Sequence, residues 1–183
     1  CSGSFIGIVS DDDILVNIDK SVLEYKDIQY EDIVGIKPII SLWNSQVGVY
    51  KQNNFNINAN TAVDRIKQYQ DLNKGNNTSY FTFYRSKVIK DIFKLLKYHP
   101  TQGGYTDWSI VLTCVASGKV LVDPTKQLIY KNSNWFGDDV YIQKQISKLY
   151  LECGLEEKGV LIASLLDALD SFILIMRESS NLA

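Results

Sequence analysis

The feature that most constrains this chain is a short apolar run that ends in three consecutive acids. Residues 5–9 have the sequence FIGIV, and Asp11, Asp12 and Asp13 follow after one serine. A continuous apolar run of this length is typical of a strand buried on both faces, as in the parallel sheet of an α/β protein. Ligand sites in open α/β sheets lie beyond the carboxyl ends of such strands. We therefore expect a buried strand that delivers the three aspartates to a site.

The aspartate cluster has two interpretations. Three adjacent carboxylates repel one another, and at the mouth of a buried strand this repulsion costs stability unless a cation is present. Mg²⁺ and Mn²⁺ prefer oxygen ligands and are often held by one or two carboxylates together with substrate phosphates. The cluster can instead be a solvated acidic turn that precedes a helix. The buried strand in front of the acids favours the metal interpretation.

Composition and charge exclude several classes of protein. The 183 residues are 45% hydrophobic and 22% charged, which is a globular composition. The net charge is −2 and no block of Lys or Arg stands out, so no nucleic-acid partner is expected. The three cysteines are distant in sequence, which argues against a disulfide framework or a zinc site. With no apolar stretch of about 18 residues and no signal peptide, we expect a cytoplasmic protein.

Periodicity and breakers predict alternating strands and helices. Pro38 interrupts an apolar strand over residues 33–43, so we expect this strand at an edge or a bulge rather than at the centre of the sheet. Asn60 or Thr61 is expected to cap a helix, and Gly118 to end another. Further strands are predicted over residues 47–50, 80–84, 120–123 and 128–130, and helices over 16–29, 61–72, 86–96, 108–116, 139–153 and 156–178. The pattern indicates an α/β fold with a mixed sheet, flanking helices and further helices at the C-terminal end.

A second acidic position stands in the sequence GGYTDW. Asp107 lies at the predicted start of a helix, where an aspartate can serve only as the N-cap. A partly buried carboxylate beside Trp108 can instead accept a proton as a general base. Arg85, at the end of YFTFYR, is either a solvated residue on a core strand or a group close to a substrate. The sequence contains no GxxxxGK[ST] loop, no GxSxG elbow and no cysteine with an activating neighbour.

In their order along the chain, these motifs resemble the GT-A glycosyltransferases, in particular a bacterial branch of the large inverting family. The matching segments span roughly residues 4–136 and are SDDDIL, ANTAVDRIKQYQ, SYFTFYRSKVI, GGYTDWSIVLTCVASGKV and VDPTKQLIYKNSNW. SDDDIL is similar to the family's DxD motif, which binds metal and nucleotide. YTDW is similar to its later acidic motif, in which an Asp activates the acceptor hydroxyl. The family's usual Glu–Asp pair has Thr106 at its first position here.

The resemblance implies a partial GT-A fold of the Rossmann-like type. Residues 1–136 are expected to be the catalytic portion, and residues 137–183 a C-terminal helical extension. The family begins with strands that hold the nucleotide base, and this chain is expected to begin after them. Its implied activity is inverting transfer of a sugar from a nucleoside-diphosphate sugar, such as a UDP-sugar. The acceptor is a hydroxyl of a glycan, a lipid-linked molecule or a protein, and only the acceptor would bring the protein to a membrane surface.

The resemblance also assigns roles to individual residues. Mn²⁺ or Mg²⁺ would bridge the aspartates and the donor diphosphate, and Asp107 would be the catalytic base. A literal D-x-D pattern uses Asp11 and Asp13 as metal ligands. Counting back from the apolar residues that follow favours Asp12, with Asp11 close to the ribose. Arg85 is expected to contribute to donor binding.

Two other functions stay open at this stage. A nucleotidyltransferase also uses acids at a strand end, a metal and a nucleotide, although this sequence has no Gly-rich basic loop for a triphosphate. A non-enzymatic interaction module would use the C-terminal helix pair as a docking surface. Binding of Mn²⁺ would favour the two enzymes over the interaction module.

Overall fold

The computed structural model describes residues 3–19, 32–74, 76–96 and 106–155, and within these ranges the chain has a mixed α/β fold. The described strands are β1 (Phe5–Ile6), β2 (Ile14–Asn17), β3 (Ile33–Asn44), β4 (Gly48–Asn53), β5 (Phe83–Arg85) and β6 (Lys119–Lys131). The described helices are α1 (Ala62–Asn73), α2 (Ser86–Leu96), α3 (Asp107–Ser117) and α4 (Asp139–Glu152), with 3₁₀ turns at Thr78–Phe81 and Ser133–Trp135. The predicted helix over residues 156–178 and most of the one over 16–29 lie outside the described residues.

The strands form one sheet with the order β1-β5-β3-β6-β2, and β4 pairs with β3 beside β5. The long strands β3 and β6 are parallel, and every other described pairing is antiparallel. One edge of β3 pairs with β5 near its start and with β4 near its end, while its other edge pairs with β6. Strand β3 is therefore the centre of the sheet.

The prediction that Pro38 keeps its strand away from the centre is wrong. On one edge of β3, the pairing with β5 involves Gly35 and Ile36 and the pairing with β4 begins at Ile40, so Pro38 lies in the gap between them. On the other edge, the register with β6 shifts directly after Pro38. The missing N–H therefore falls where a ladder hydrogen bond is already interrupted, and a bulge is a position that tolerates proline.

The prediction of a fully buried strand over residues 5–9 is also wrong. Only Phe5 and Ile6 form a strand, which lies at the end of the sheet, pairs with β5 and is half-buried. The aspartates occupy a turn closed by the bond from the Asp13 N–H to the Ser10 carbonyl, at 3.2 Å. They precede the exposed strand β2 instead of following a buried parallel one. An apolar run of five residues does not specify how many neighbours its strand acquires.

The predicted helix over residues 16–29 is wrong where it is described, because Val16 and Asn17 belong to the strand β2. The helices predicted over 61–72, 86–96, 108–116 and 139–153 are confirmed. Thr61 caps α1 by accepting a hydrogen bond from the Asp64 N–H at 3.1 Å, and Gly118 is the C-cap of α3. Helix α3 lies in the main core and packs against α1, α2 and β3. The buried members of this core are Val34, Ile57, Tyr69, Tyr84, Ile89, Ile92, Ile110, Val111, Cys114, Val115 and Val120. A second cluster of Ile40, Leu42, Phe81 and Leu128 lies beneath the cavity described below.

No helix within residues 3–19, 32–74, 76–96 and 106–155 combines the length and apolarity that crossing a bilayer requires.

Candidate active site

A cavity of about 910 Å³ lies at the N-terminal end of α3 and is lined by Asp107. Its walls come from β3, β4, β6, both 3₁₀ turns and α4, and Ser10 reaches it from the other side. A third of the lining residues are aromatic, and they are Tyr50, Tyr80, Phe81, Trp108, Tyr130, Trp135 and Phe136. Ligand pockets commonly combine an apolar and aromatic lining with a few polar groups that orient the ligand. The cavity has this character.

The aromatic wall is held by contacts between its own rings. The rings of Tyr50 and Phe136 meet edge to face with centroids 5.3 Å apart. The centroids of Phe81 and Tyr130 are 4.8 Å apart, and Tyr80 packs against Phe81 at 5.7 Å. These separations are typical of favourable aromatic pairs. The wall is therefore a preformed surface built from β4, β6 and the two 3₁₀ turns.

Asp107 is the first residue of α3, and the N-cap position belongs to Thr106. The interpretation of Asp107 as an N-cap is therefore wrong. Its carboxylate Oδ2 accepts a hydrogen bond from Asn77 Nδ2 at 2.7 Å. Burial raises the pKa of Asp107 above its usual value, while Asn77 and the backbone N–H groups of Trp108 and Asp107 itself lower it. A carboxylate with a raised pKa is a stronger base than an ordinary surface aspartate.

The aspartate turn lies at the rim of the same cavity, next to Ser10. Asp11 is exposed, and Asp12 Oδ2 lies 3.4 Å from Lys131 Nζ in an ion pair whose two side chains are about half exposed. Asp13 is less exposed, and its Oδ1 accepts a hydrogen bond from the Lys131 N–H at 2.9 Å. Burial raises the pKa of Asp13, the bond from Lys131 lowers it, and the neighbouring Asp12 raises it further.

Tyr130 connects the two acidic motifs. Burial raises the pKa of its phenol, and the charges of Asp13, Asp107 and Asp12 raise it further, in that order. The phenol therefore lies within electrostatic range of both motifs. The fold brings together acids that are distant in sequence, as the expectation of a common site requires.

The aspartate turn and the cavity lining each carry an oxygen atom of a kind that hard cations bind. Among the described residues, no three His, Cys, Asp or Glu side chains converge as a complete metal site. Two buried oxygens there have no hydrogen-bond partner, Asp13 Oδ2 and Asn132 Oδ1. Asn132 is 3% exposed and lines the cavity, and its Nδ2 donates to the Tyr50 hydroxyl at 2.5 Å. A carboxylate and an amide oxygen are ligand types that Mg²⁺ and Mn²⁺ accept, with phosphates and water completing the coordination.

The structure does not bring Arg85 to this cavity, so the expectation that it binds the donor needs correction. Its Nε donates to the Ile33 carbonyl at 2.6 Å, and its guanidinium lies 5.2 Å from the centre of the Phe5 ring. These contacts tie β5 to the neighbouring strands β3 and β1. A guanidinium used in this way stabilises the sheet.

Several residues of the site were not predicted from the sequence. Asn77 belongs to the segment NKGNNTS, whose composition indicates only a break between elements. Asn132 and Trp135 follow β6 within the quoted segment VDPTKQLIYKNSNW, but the sequence pattern predicts no role for either of them. Helix α4, from the predicted C-terminal extension, supplies the apolar side of the cavity through Ile142, Ile146 and Leu149.

Comparison with protein-family models, curated protein sequences and solved structures finds no match to this chain. The function must therefore be inferred from the site itself.

Proposed function

We propose that this protein is an inverting glycosyltransferase of the GT-A type, which transfers a sugar from a nucleoside-diphosphate sugar to a hydroxyl acceptor. One observation carries the proposal. A partly buried carboxylate with a raised pKa, Asp107, shares an aromatic cavity with the rim that bears three aspartates. A general base and a site for a charged leaving group are the two components that this reaction needs.

The chemistry would proceed in one displacement. The acceptor oxygen attacks the anomeric carbon, and the bond from that carbon to the phosphate oxygen breaks. The acceptor proton passes to the carboxylate of Asp107, and the nucleoside diphosphate leaves with the bonding electrons. Attack opposite the leaving group inverts the anomeric carbon. Aromatic faces and the Asn77 and Asn132 amides supply the stacking and hydrogen-bonding groups that orient a sugar.

The leaving group would be stabilised at the aspartate end of the cavity. A bound Mn²⁺ or Mg²⁺ would neutralise charge on the diphosphate. Asp13 Oδ2 and Asn132 Oδ1 are the protein atoms best suited to hold it, because both are buried oxygens without a hydrogen bond. Asp12, which pairs with Lys131, is less available than the sequence pattern suggested.

The first test is Asp107→Asn in the full-length protein. A panel of UDP-sugars with Mn²⁺ is offered with glycan acceptors, and products are identified by mass spectrometry. We expect the variant to lose about 10²- to 10⁴-fold in transfer rate, the usual contribution of a general base. Donor binding measured by calorimetry should change little, because a general base acts on the acceptor hydroxyl and not on the diphosphate.

Asp139→Asn is the matched control. Asp139 is also the first residue of a helix, but it is exposed and does not line the cavity. The control should retain normal transfer. If Asp107→Asn transfers sugar within a few-fold of the wild-type rate, Asp107 is not the base. If the protein binds glycans but no donor is consumed, the cavity belongs to a binding module.

A further inference from the structure

We propose that Asn77 is a positioning residue for Asp107, and that a buried chain of hydrogen bonds from Lys37 through Ser79 and Tyr69 holds it in place. The inference rests on the proposed function, because it concerns how the base is oriented. It extends that function by assigning a role to four side chains, three of which do not line the cavity.

The direction of the hydrogen bonds follows from the carboxylate. An ionised carboxylate only accepts hydrogen bonds, so the Asn77 amide must present its NH₂ group to Asp107, as the 2.7 Å contact from Nδ2 requires. The other end of the amide, Oδ1, then faces the Tyr69 hydroxyl, with which it forms a short hydrogen bond. Because Oδ1 has no hydrogen, the Tyr69 hydroxyl must be the donor.

The remaining two bonds follow in the same way. The Ser79 side chain is close enough to the Tyr69 hydroxyl to lower the pKa of Tyr69. Because the Tyr69 hydroxyl uses its hydrogen towards Asn77, it can only be the acceptor towards Ser79. Ser79 Oγ in turn accepts from Lys37 Nζ at 3.1 Å. An amine donates whether or not it carries the extra proton. Every donor therefore points towards Asp107.

Burial restricts these side chains to one arrangement of hydrogen bonds. Lys37, Ser79 and Tyr69 are 0% exposed, so water cannot replace a partner when one bond is lost. A fully satisfied polar network in a low-dielectric interior specifies one geometry. The segment that carries Asn77 is also anchored next to it, since Asn53 Nδ2 donates to Thr78 Oγ1 at 2.9 Å.

The consequence for catalysis concerns the orientation of the base. A carboxylate at the edge of an open cavity can rotate, and a misplacement of about 1 Å at a reacting centre can cost about 10²-fold in rate. The bond from Asn77 holds one oxygen and favours the ionised form that accepts a proton. Other ionisable groups around Asp107 or along its cavity are Tyr50, Tyr69, Tyr80, Tyr130, Lys51 and Lys74.

The test uses Asn77→Ala and Tyr69→Phe in the full-length protein, with two measurements. Carbon-13 NMR of labelled aspartate carboxyls follows the pKa of Asp107, assigned by its absence from Asp107→Asn. Transfer assays over a range of pH give kcat and KM. We expect both variants to raise the pKa of Asp107. Asn77→Ala should lower kcat roughly 10- to 100-fold with the donor KM within about twofold, and Tyr69→Phe should have a smaller effect.

Thr113→Val is the control for a purely structural effect. It removes a buried hydroxyl from α3 that donates to the Ser109 carbonyl at 2.7 Å and takes no part in the chain. It should leave the pKa of Asp107 and kcat unchanged. If Asn77→Ala does not fold, Asn77→Asp keeps the side-chain shape and replaces the donor by an acceptor, so the pKa of Asp107 should again rise.

An unchanged pKa of Asp107 in folded Tyr69→Phe and Asn77 variants would overturn the proposal. So would a pKa shift and a fall in kcat of equal size in Thr113→Val. The NMR measurement does not depend on activity. A shifted pKa in a protein that transfers no sugar would therefore support the hydrogen-bonded chain and overturn the transferase assignment.

Discussion

At the scale of single residues, three neighbouring and identical side chains have three different environments. Asp11 is exposed, Asp12 pairs with Lys131, and Asp13 turns a carboxylate oxygen inwards without a hydrogen bond. The sequence pattern favoured Asp12 as the metal ligand. Under the proposed function we expect Asp13 to be the ligand, because a buried oxygen without a hydrogen bond has the most to gain from a cation.

This difference predicts unequal effects of two matched substitutions. Asp13→Asn should weaken the binding of UDP in the presence of Mn²⁺ by roughly 10- to 100-fold, the range that one lost interaction with a charged group produces. Asp12→Asn should change it by less than about threefold, because its carboxylate is half exposed and paired with Lys131. Calorimetry on the full-length protein measures both.

Asp11→Asn, at the exposed position of the turn, is the control. Without Mn²⁺ the difference between the variants should disappear. Equal and small effects of all three substitutions would remove the metal role from the aspartate turn.

At the scale of elements, the helices were predicted well and the strands less well. Helix α1 has its cap at Thr61 and α3 ends at Gly118, as the local signals indicate. The two short strands predicted around residues 120–130 are a single strand, β6, in which Lys126 and Gln127 pair with β2 after a register shift against β3. Pro124 lies in this register shift, between Asp123 and Gln127, where β6 has no partner residue on β3.

The side chain of Arg65 links helix α1 to the C-terminal end of helix α3. Arg65, on α1, donates to the carbonyls of Val115 at 2.8 Å and Ala116 at 2.6 Å, in the last turn of α3. It also donates to the Asn60 carbonyl at 2.8 Å, ahead of its own helix. The carbonyls at a helix C-terminus have no partner within the helix and attract a cation. Arg65 therefore serves as a distant cap for α3.

Arg65→Leu should lower the free energy of unfolding by about 3 kcal/mol, because buried carbonyls of α3 lose their donors. Arg65→Lys should lose less, since it keeps the charge, but it cannot reproduce the forked geometry. Urea denaturation measures both. Lys67→Leu, at an exposed position of the same helix, should stay within about 0.5 kcal/mol of wild type. A loss in Lys67→Leu equal to that in Arg65→Leu would contradict the capping role.

At the scale of the whole molecule, one buried amine links stability to pH. Lys37 lies on the central strand and is 0% exposed, with Nζ 3.8 Å from the centre of the Phe55 ring. Burial lowers the pKa of Lys37 from 10.5 to about 7. The folded protein therefore binds this proton more weakly than the unfolded chain does. Between about pH 7 and pH 10.5 the unfolded chain holds more protons at Lys37 than the folded protein does. The contribution of Lys37 to the free energy of unfolding therefore rises with pH.

We expect the stability of the wild type relative to Lys37→Met to increase from pH 7 to pH 10. The slope is at most about 1.4 kcal/mol per pH unit. Below pH 7 the difference should be constant, because both states of the wild type then hold the proton. Denaturant unfolding of the two proteins at a series of pH values measures the difference. A constant difference across the whole range would mean that Lys37 keeps an ordinary pKa in the fold.

The sequence by itself determined the elements that depend on near neighbours. Helix periodicity, the cap at Thr61 and the helix end at Gly118 act over a few residues, and the two acidic motifs at residues 11–13 and 107 are visible as residue types. Only the tertiary structure decided that the strand of Pro38 is central. It also decided that Asp13 turns inwards and that Asn77 contacts Asp107. These outcomes depend on which distant segments pack together, because burial and the available partners set the energy of a polar group, and its type alone does not.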